Sequence, residues 1–186
     1  MAGQNGGVPE NWYALFTRYQ HEKIVALGLS NKNHDVYLPV YRAARRWQDR
    51  DKQLWLPLFP SYVFIRGGLD RQLQILTTPG VIHIVGWGGR PAAIPQSQLD
   101  VIRQMLASGS RVESHSYLQC GDRVRVKSGP LTGMEGILDR KKGVARLVVS
   151  MEMLGRSAAV EIDALNVERI GPIPAVRPPK ALSVSA

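Results

Sequence analysis

The hydrophobic pattern of the chain changes period several times. Residues 11–17 (Asn-Trp-Tyr-Ala-Leu-Phe-Thr) are apolar and aromatic, and read as a buried strand. Residues 20–32 shift to a helical pattern. Ile24, Val25, Leu27 and Gly28 form its apolar side, while Glu22, Lys23 and Lys32 are expected to face water. Val36 to Val40 predicts a short strand stopped by Pro39. Arg42 to Lys52 is charged and predicts a hairpin or mobile loop. Leu54 to Phe59 leads into Pro60, and Tyr62-Val63-Phe64-Ile65 is a strong strand. Alternation puts Tyr62 and Phe64 on one face of it, with Val63 and Ile65 on the other. Leu69 to Leu76 predicts a short helix, broken by Thr78-Pro79-Gly80. Val81 to Val85 predicts a third core strand with His83 buried inside it. Gly86, Gly88 and Gly89 turn the chain around Trp87. Pro95 opens a helix with Leu99, Ile102 and Leu106 on its apolar side.

This order, without long parallel crossovers, describes an α+β unit: helices on an antiparallel, ferredoxin-like sheet. Residues 107–118 are small, polar and aperiodic, which fits a linker. Beyond them Val124 and Val126 alternate with Arg123, Arg125 and Lys127. Further strand signals follow at Ile137-Leu138, Leu147-Val148-Val149, Ala159 to Ile162 and Val167 to Ile170. Five short strands separated by glycine turns predict an all-β, SH3-like barrel. β-branched residues and Gly155 disfavour helix in that stretch. The expected division is 9–108, a linker at 109–118, a barrel at 119–171, and a proline-rich tail at 172–186 expected to be disordered.

Charge narrows the partners. The formal net charge is +9, which favours nucleic acid or an assembly that carries it. Residues 9–108 hold 12 Lys/Arg against 7 Asp/Glu, so most of the surplus lies there. The single cysteine, Cys120, permits no intramolecular disulfide, as suits a reducing cytoplasm. No run of residues is long and apolar enough to span a membrane. His21, His34, His83 and His115 are scattered, and no metal-ligand or catalytic spacing is visible. The expectation is a non-enzyme without metal or cofactor.

Three motifs in order carry a family resemblance. The first is Trp12-Tyr13-Ala14-Leu15 with His21-Glu22-Lys23. The second is Pro57-Leu58-Phe59-Pro60-Ser61-Tyr62-Val63-Phe64, followed by Thr78-Pro79-Gly80-Val81. The third is Gly121-Asp122-Arg123-Val124-Arg125-Val126, then Gly129-Pro130-Leu131-Thr132-Gly133-Met134-Glu135-Gly136. The last block resembles a KOW motif, and the earlier two resemble a NusG amino-terminal domain. The resemblance implies a cytoplasmic, monomeric transcription elongation and antitermination factor, closer to the specialised RfaH-like paralogues than to the general factor. Its first domain would bind the clamp helices of the largest RNA polymerase subunit. Its KOW barrel would recruit a ribosomal protein or Rho.

Residues can be assigned to these expectations. Tyr13, Phe16, Phe59, Pro60 and Tyr62 are the expected polymerase contacts, since aromatics beside a rigid proline form firm interface anchors. The other reading of Phe59 and Tyr62 is simple core. Arg18, Arg45, Arg46 and Trp47 are the expected nucleic-acid contacts, where cations flank a stacking ring; a solvated charged loop is the alternative. Leu131 and Met134 are expected at a loop tip, exposed to the barrel's partner, unless one folds under the loop. Gly133 and Gly136 serve backbone geometry. The reading from another class is an RNA-binding ribosome-associated or translation protein that uses the KOW barrel.

Overall fold

The computed structural model describes residues 11–47, 50–116, 121–141 and 143–172, with backbone alone for 44–47, 50–52, 116, 141 and 172. Cys120, Lys142 and the tail from residue 173 lie outside the described residues.

The first sheet has the order β2-β5-β1-β6, from Asp35–Tyr37, Tyr62–Arg66, Trp12–Thr17 and Val81–Ile84. All its pairings are antiparallel. Helix α1 (Glu22–Ser30) joins β1 to β2, and a 3-10 turn at Leu69–Arg71 with α2 (Gln72–Leu76) joins β5 to β6. This is the expected ferredoxin-like arrangement. Between β2 and β5 the chain makes a long hairpin of β3 (Val40–Trp47) and β4 (Arg50–Pro57), paired from Val40↔Pro57 to Trp47↔Arg50. The charged stretch expected as a hairpin or loop is therefore a ribbon. A short hairpin, β7 (Gly86–Trp87) with β8 (Arg90–Pro91), leads to α3 (Gln96–Ala107).

Strand alternation gives the first sheet two apolar faces. Leu15, Val63 and Ile65 meet Val25 and Leu29 of α1 and Ile75 of α2 in one cluster. Trp12, Ala14 and Phe64 meet Leu99, Ile102 and Met105 of α3 in another. On α3 the third buried position is Met105, with Leu106 half-buried, rather than Leu106 alone as its spacing suggested. Arg103 lies over the rings of Trp12 and Tyr37, at 5.3 and 4.7 Å from their centroids. Its charge is balanced by Asp100 at 2.7 Å.

The second sheet has six strands in the order β14-β10-β11-β12-β13-β9, all antiparallel. Five are the expected ones: β10 (Asp122–Val126), β11 (Glu135–Lys141), β12 (Val144–Met151), β13 (Arg156–Glu161) and β14 (Val167–Pro172). The sixth, β9 (Val112–Ser116), lies in the stretch expected to be a linker. It pairs with β13 from Val112↔Val160 to Ser116↔Arg156. Its polar residues have partners there: Glu113 accepts from Arg146, and His115 lies 3.6 Å from Asp139. At Gly136 a Cβ would come 2.6 Å from the Val148 carbonyl oxygen, and Gly133 has φ +83°, so both serve backbone geometry.

Two histidine positions differ from expectation or carry a consequence. His83 is exposed, because β6 is an edge strand and not a central one. His34 is buried, and neither ring nitrogen has a hydrogen-bond partner. Burial, reinforced by the charges of Arg71 and Lys32, holds its pKa below the ordinary 6.5. The unfolded chain then binds a proton that the folded chain resists, so His34 lowers stability as pH falls below about 6.5. Urea midpoints measured at pH 7.5 and 5.5 should show a loss on acidification that is smaller in His34→Phe.

Candidate functional site

The candidate site grows from one cross-strand row. Register places Phe16 of β1 opposite Tyr62 of β5 on one side and His83 of β6 on the other. The Phe16 ring lies 5.4 Å from Tyr62 and 5.2 Å from His83, centroid to centroid. Phe16 and Tyr62 are half-buried and His83 is exposed. Three rings thus line the end of the first sheet, on the face that also carries Ala14 and Phe64.

The turn before β5 sets the pose of Tyr62. Ser61 has φ +68°, a left-handed conformation that costs a non-glycine residue free energy. Three hydrogen bonds hold it. The Ser61 N–H donates to Glu22 Oε1 at 2.7 Å, its carbonyl accepts from Thr17 N–H at 2.9 Å, and Tyr62 N–H donates to the Phe59 carbonyl at 3.1 Å. Glu22 is 3% exposed. The expectation that it faces water is therefore wrong. The expected apolar side of α1 holds only at Val25: Ile24 and Leu27 are 61% and 64% exposed, and helical spacing does not show that a turn 39 residues further on brings an N–H to Glu22. The sequence signal was an acid in the first helical turn, ahead of a proline turn whose N–H needs an acceptor.

Phe59 is buried and packs edge-on against Phe64, 6.0 Å between centroids. Pro60 is half-buried beside it. In the described arrangement Phe59 lies beneath the row and not at the surface. Tyr13 packs with the cluster on the opposite face of the sheet, so it does not join Phe16 and Tyr62. Arg18 is exposed just past the end of β1. Arg45, Arg46 and Trp47 sit on β3 of the long hairpin; their side chains lie outside what is described.

The second sheet closes over this face. Its 3-10 turn Glu152–Leu154 brings the Leu154 carbonyl to the Tyr62 hydroxyl, which donates at 3.2 Å. Burial pushes the Tyr62 pKa up, against the opposing pull of Arg156, so the hydroxyl stays a donor. Gln104 of α3 donates to the Pro130 carbonyl at 3.0 Å. Each such neutral bond contributes about 0.5–1.5 kcal/mol, so apolar packing contributes more to the contact than these bonds do. Leu131, Met134, Met151 and Leu154 belong to the same buried cluster as Phe59, Phe64 and Met105. Leu131 and Met134, expected at an exposed loop tip, are 4% and 5% exposed. Glycine turns such as Gly129–Gly133 mark where the chain reverses, not whether another unit covers the turn.

The second sheet's described arginines are largely matched by acids. Glu135 takes Arg123 at 2.8 Å and Arg125 at 2.6 Å, and Arg125 above all holds its carboxyl below the usual range. Arg169 lies 2.5 Å from Asp122, and Arg146 pairs with Glu113. Among the described residues no group of His, Cys, Asp or Glu is arranged to hold a metal ion. No described helix is long and apolar enough to cross a membrane.

The family model for "Transcription termination factor nusG" matches residues 10–103, half of the chain. The chain belongs to the NusG family. A relative from Halalkalibacterium halodurans, named a transcription termination/antitermination protein NusG, is 24% identical over 87% of this chain and 99% of its own. One from Borreliella burgdorferi, with the same name, is 27% identical over 86% and 98%. Among solved structures, one described as "Domain interaction in Thermotoga maritima NusG" aligns with a TM-score of 0.54 at 23% identity. It covers 87% of this chain and 97% of that one, and so supports the NusG fold.

Loss of the Glu22 acceptor leaves a buried Ser61 N–H unsatisfied. Glu22→Ala should destabilise the protein by about 1–3 kcal/mol, and Glu22→Gln, which keeps an acceptor oxygen, by less. Denaturant melts of the three proteins check this.

Proposed function

We propose that this NusG-family chain is a transcription elongation and antitermination factor that binds the clamp helices of RNA polymerase through the Phe16–Tyr62 row. Supporting it is one observation above all: an aromatic row at the end of the first sheet whose Tyr62 is met by the chain's own second sheet. Membership of the family, and relatives named as transcription termination/antitermination proteins, support the transcription side of the reading. Phe59 and Pro60 act from below, by fixing the turn that presents Tyr62. Tyr13 contributes through the opposite core and not by contact. Arg18, Arg45, Arg46 and Trp47 take the part of nucleic-acid contacts beside the polymerase. The factor works in the cytoplasm as a monomer, suppresses pausing or termination, and belongs to the specialised, operon-specific kind.

Leu131 and Met134 are the contacts of the second sheet with a ribosomal protein or Rho. Because they share a buried cluster with Phe59 and Phe64, the two sheets part before either partner docks. The RNA-binding ribosomal alternative is less well supported, since so many of the second sheet's arginines are paired with acids.

The test uses surface positions of the row. Phe16→Ala with Tyr62→Ala should weaken binding to purified core polymerase at least about tenfold, on the scale of truncating two interface anchors, while near-native circular dichroism persists. Wild-type affinity in the folded double variant would remove the proposed contact face. An elongation assay on a template carrying a Rho site then separates antitermination from Rho support.

A further inference from the structure

Away from the aromatic row, the long hairpin and strand β9 face each other across a groove. It comprises two neighbouring cavities of about 310 and 440 Å³. Tyr41, Arg42, Arg111 and Val112 line both, Trp55 lines the first and Glu113 the second. Sizes of this order suit a small planar ligand group, such as a base, in each.

The chemistry of the walls is uneven in a telling way. On the hairpin, Arg42 and Trp55 are cross-strand partners, and the Arg42 guanidinium lies 5.5 Å from the Trp55 ring centroid. Trp55 is 53% exposed, so its ring is open to a stacking partner. Arg42 also donates to Gln53, which fixes its planar group beside the ring. On the opposite wall Arg111 is 71% exposed, and its ion pair with Glu161 is long, at 3.8 Å. An exposed pair of that kind contributes little, so Arg111 is available to another anion. Among the described lining residues the acid, Glu113, is committed to Arg146. The result is a stacking ring with cations on both walls and its carboxylate neutralised.

We propose that this groove binds single-stranded nucleic acid, with a base stacked on Trp55 and backbone phosphates held by Arg42 and Arg111. Stacking accepts any base, and two separated guanidinium groups follow a backbone and not an isolated phosphate. A duplex keeps its bases inside and offers nothing to Trp55. One wall comes from the hairpin and the other from the strand ahead of the second unit, so the site exists only where the two sheets are docked. The proposal does not rest on the polymerase-binding reading.

The experiment measures fluorescence anisotropy of a labelled 12-nucleotide deoxythymidylate strand with the full-length protein at low salt. A duplex of equal length and thymidine monophosphate serve as competitors. The strand should bind. Trp55→Ala should weaken it by about five- to hundredfold, the range for one lost stacking contact, and Trp55→Phe should restore most of the loss. Arg111→Ala should weaken binding and flatten the salt dependence, by about 0.7 in log–log slope for one lost phosphate contact. Since Arg111 is exposed, that variant decides the matter even where Trp55→Ala fails to fold. No binding, equal binding by both variants, preference for duplex, or equally tight binding of the mononucleotide would each overturn the proposal. Polymerase binding by the Trp55→Ala and Arg111→Ala proteins, whose changed residues lie outside the Phe16–Tyr62 row, separates this result from failure of the polymerase reading.

Discussion

A sheet with two apolar faces needs two covers, and that constraint organises the molecule. In β1, Leu15 points one way while Trp12 and Ala14 point the other. Helices α1 and α2 cover the first side. On the second, α3 buries Leu99, Ile102 and Met105, but a twelve-residue helix is only about 18 Å long. The end of the face that carries Phe16 and Tyr62 is met instead by the second sheet. One continuous apolar cluster therefore runs from Trp12 through Phe64 to Leu154 and Val160. Hydrophobic burial is non-directional and scales with area, so this contact specifies less about its partner than a hydrogen-bonded joint would.

The polar parts of the site have the opposite character. The Ser61 kink is held by partners of fixed geometry, with a buried carboxylate on one of them. That bond ties the first turn of α1 to the start of β5, and so fixes the separation of Phe16 and Tyr62 before anything docks on them. Rigid presentation limits the ordering cost of association.

The core elements were legible in the sequence because local pattern and tertiary need agree there. Tyr62 to Ile65 alternates as a two-faced strand must, and Val124 and Val126 alternate against three cations. What escaped depends on a partner remote in sequence. The stretch 112–116 has too few apolar residues to announce a strand, and becomes one because β13 has an edge to fill. Glu22 needs the turn at Ser61. Leu131 and Met134 sit at a glycine-rich turn that reads as exposed, and are buried. For the candidate site, sequence supplied Phe16 and Tyr62 but not the sorting of Tyr13 to the far face. It also held no sign of the groove between Trp55 and Arg111, which joins residues that no motif connects.

Among the described residues, hydrogen bonds at Leu154 and Pro130 join the units, together contributing only about 1–3 kcal/mol. Most of the closing free energy is apolar, and another apolar surface can replace it. A partner that covers Phe16 and Tyr62 competes with a segment tethered in the same chain, and so must offer more area or better complementarity than the second sheet does. The groove beside the hairpin behaves differently. Any ligand that touches both of its walls binds the closed form preferentially, and by linkage opposes a partner that needs the sheets apart. Closure is thus open to influence from two directions, one through apolar area and one through charge and stacking.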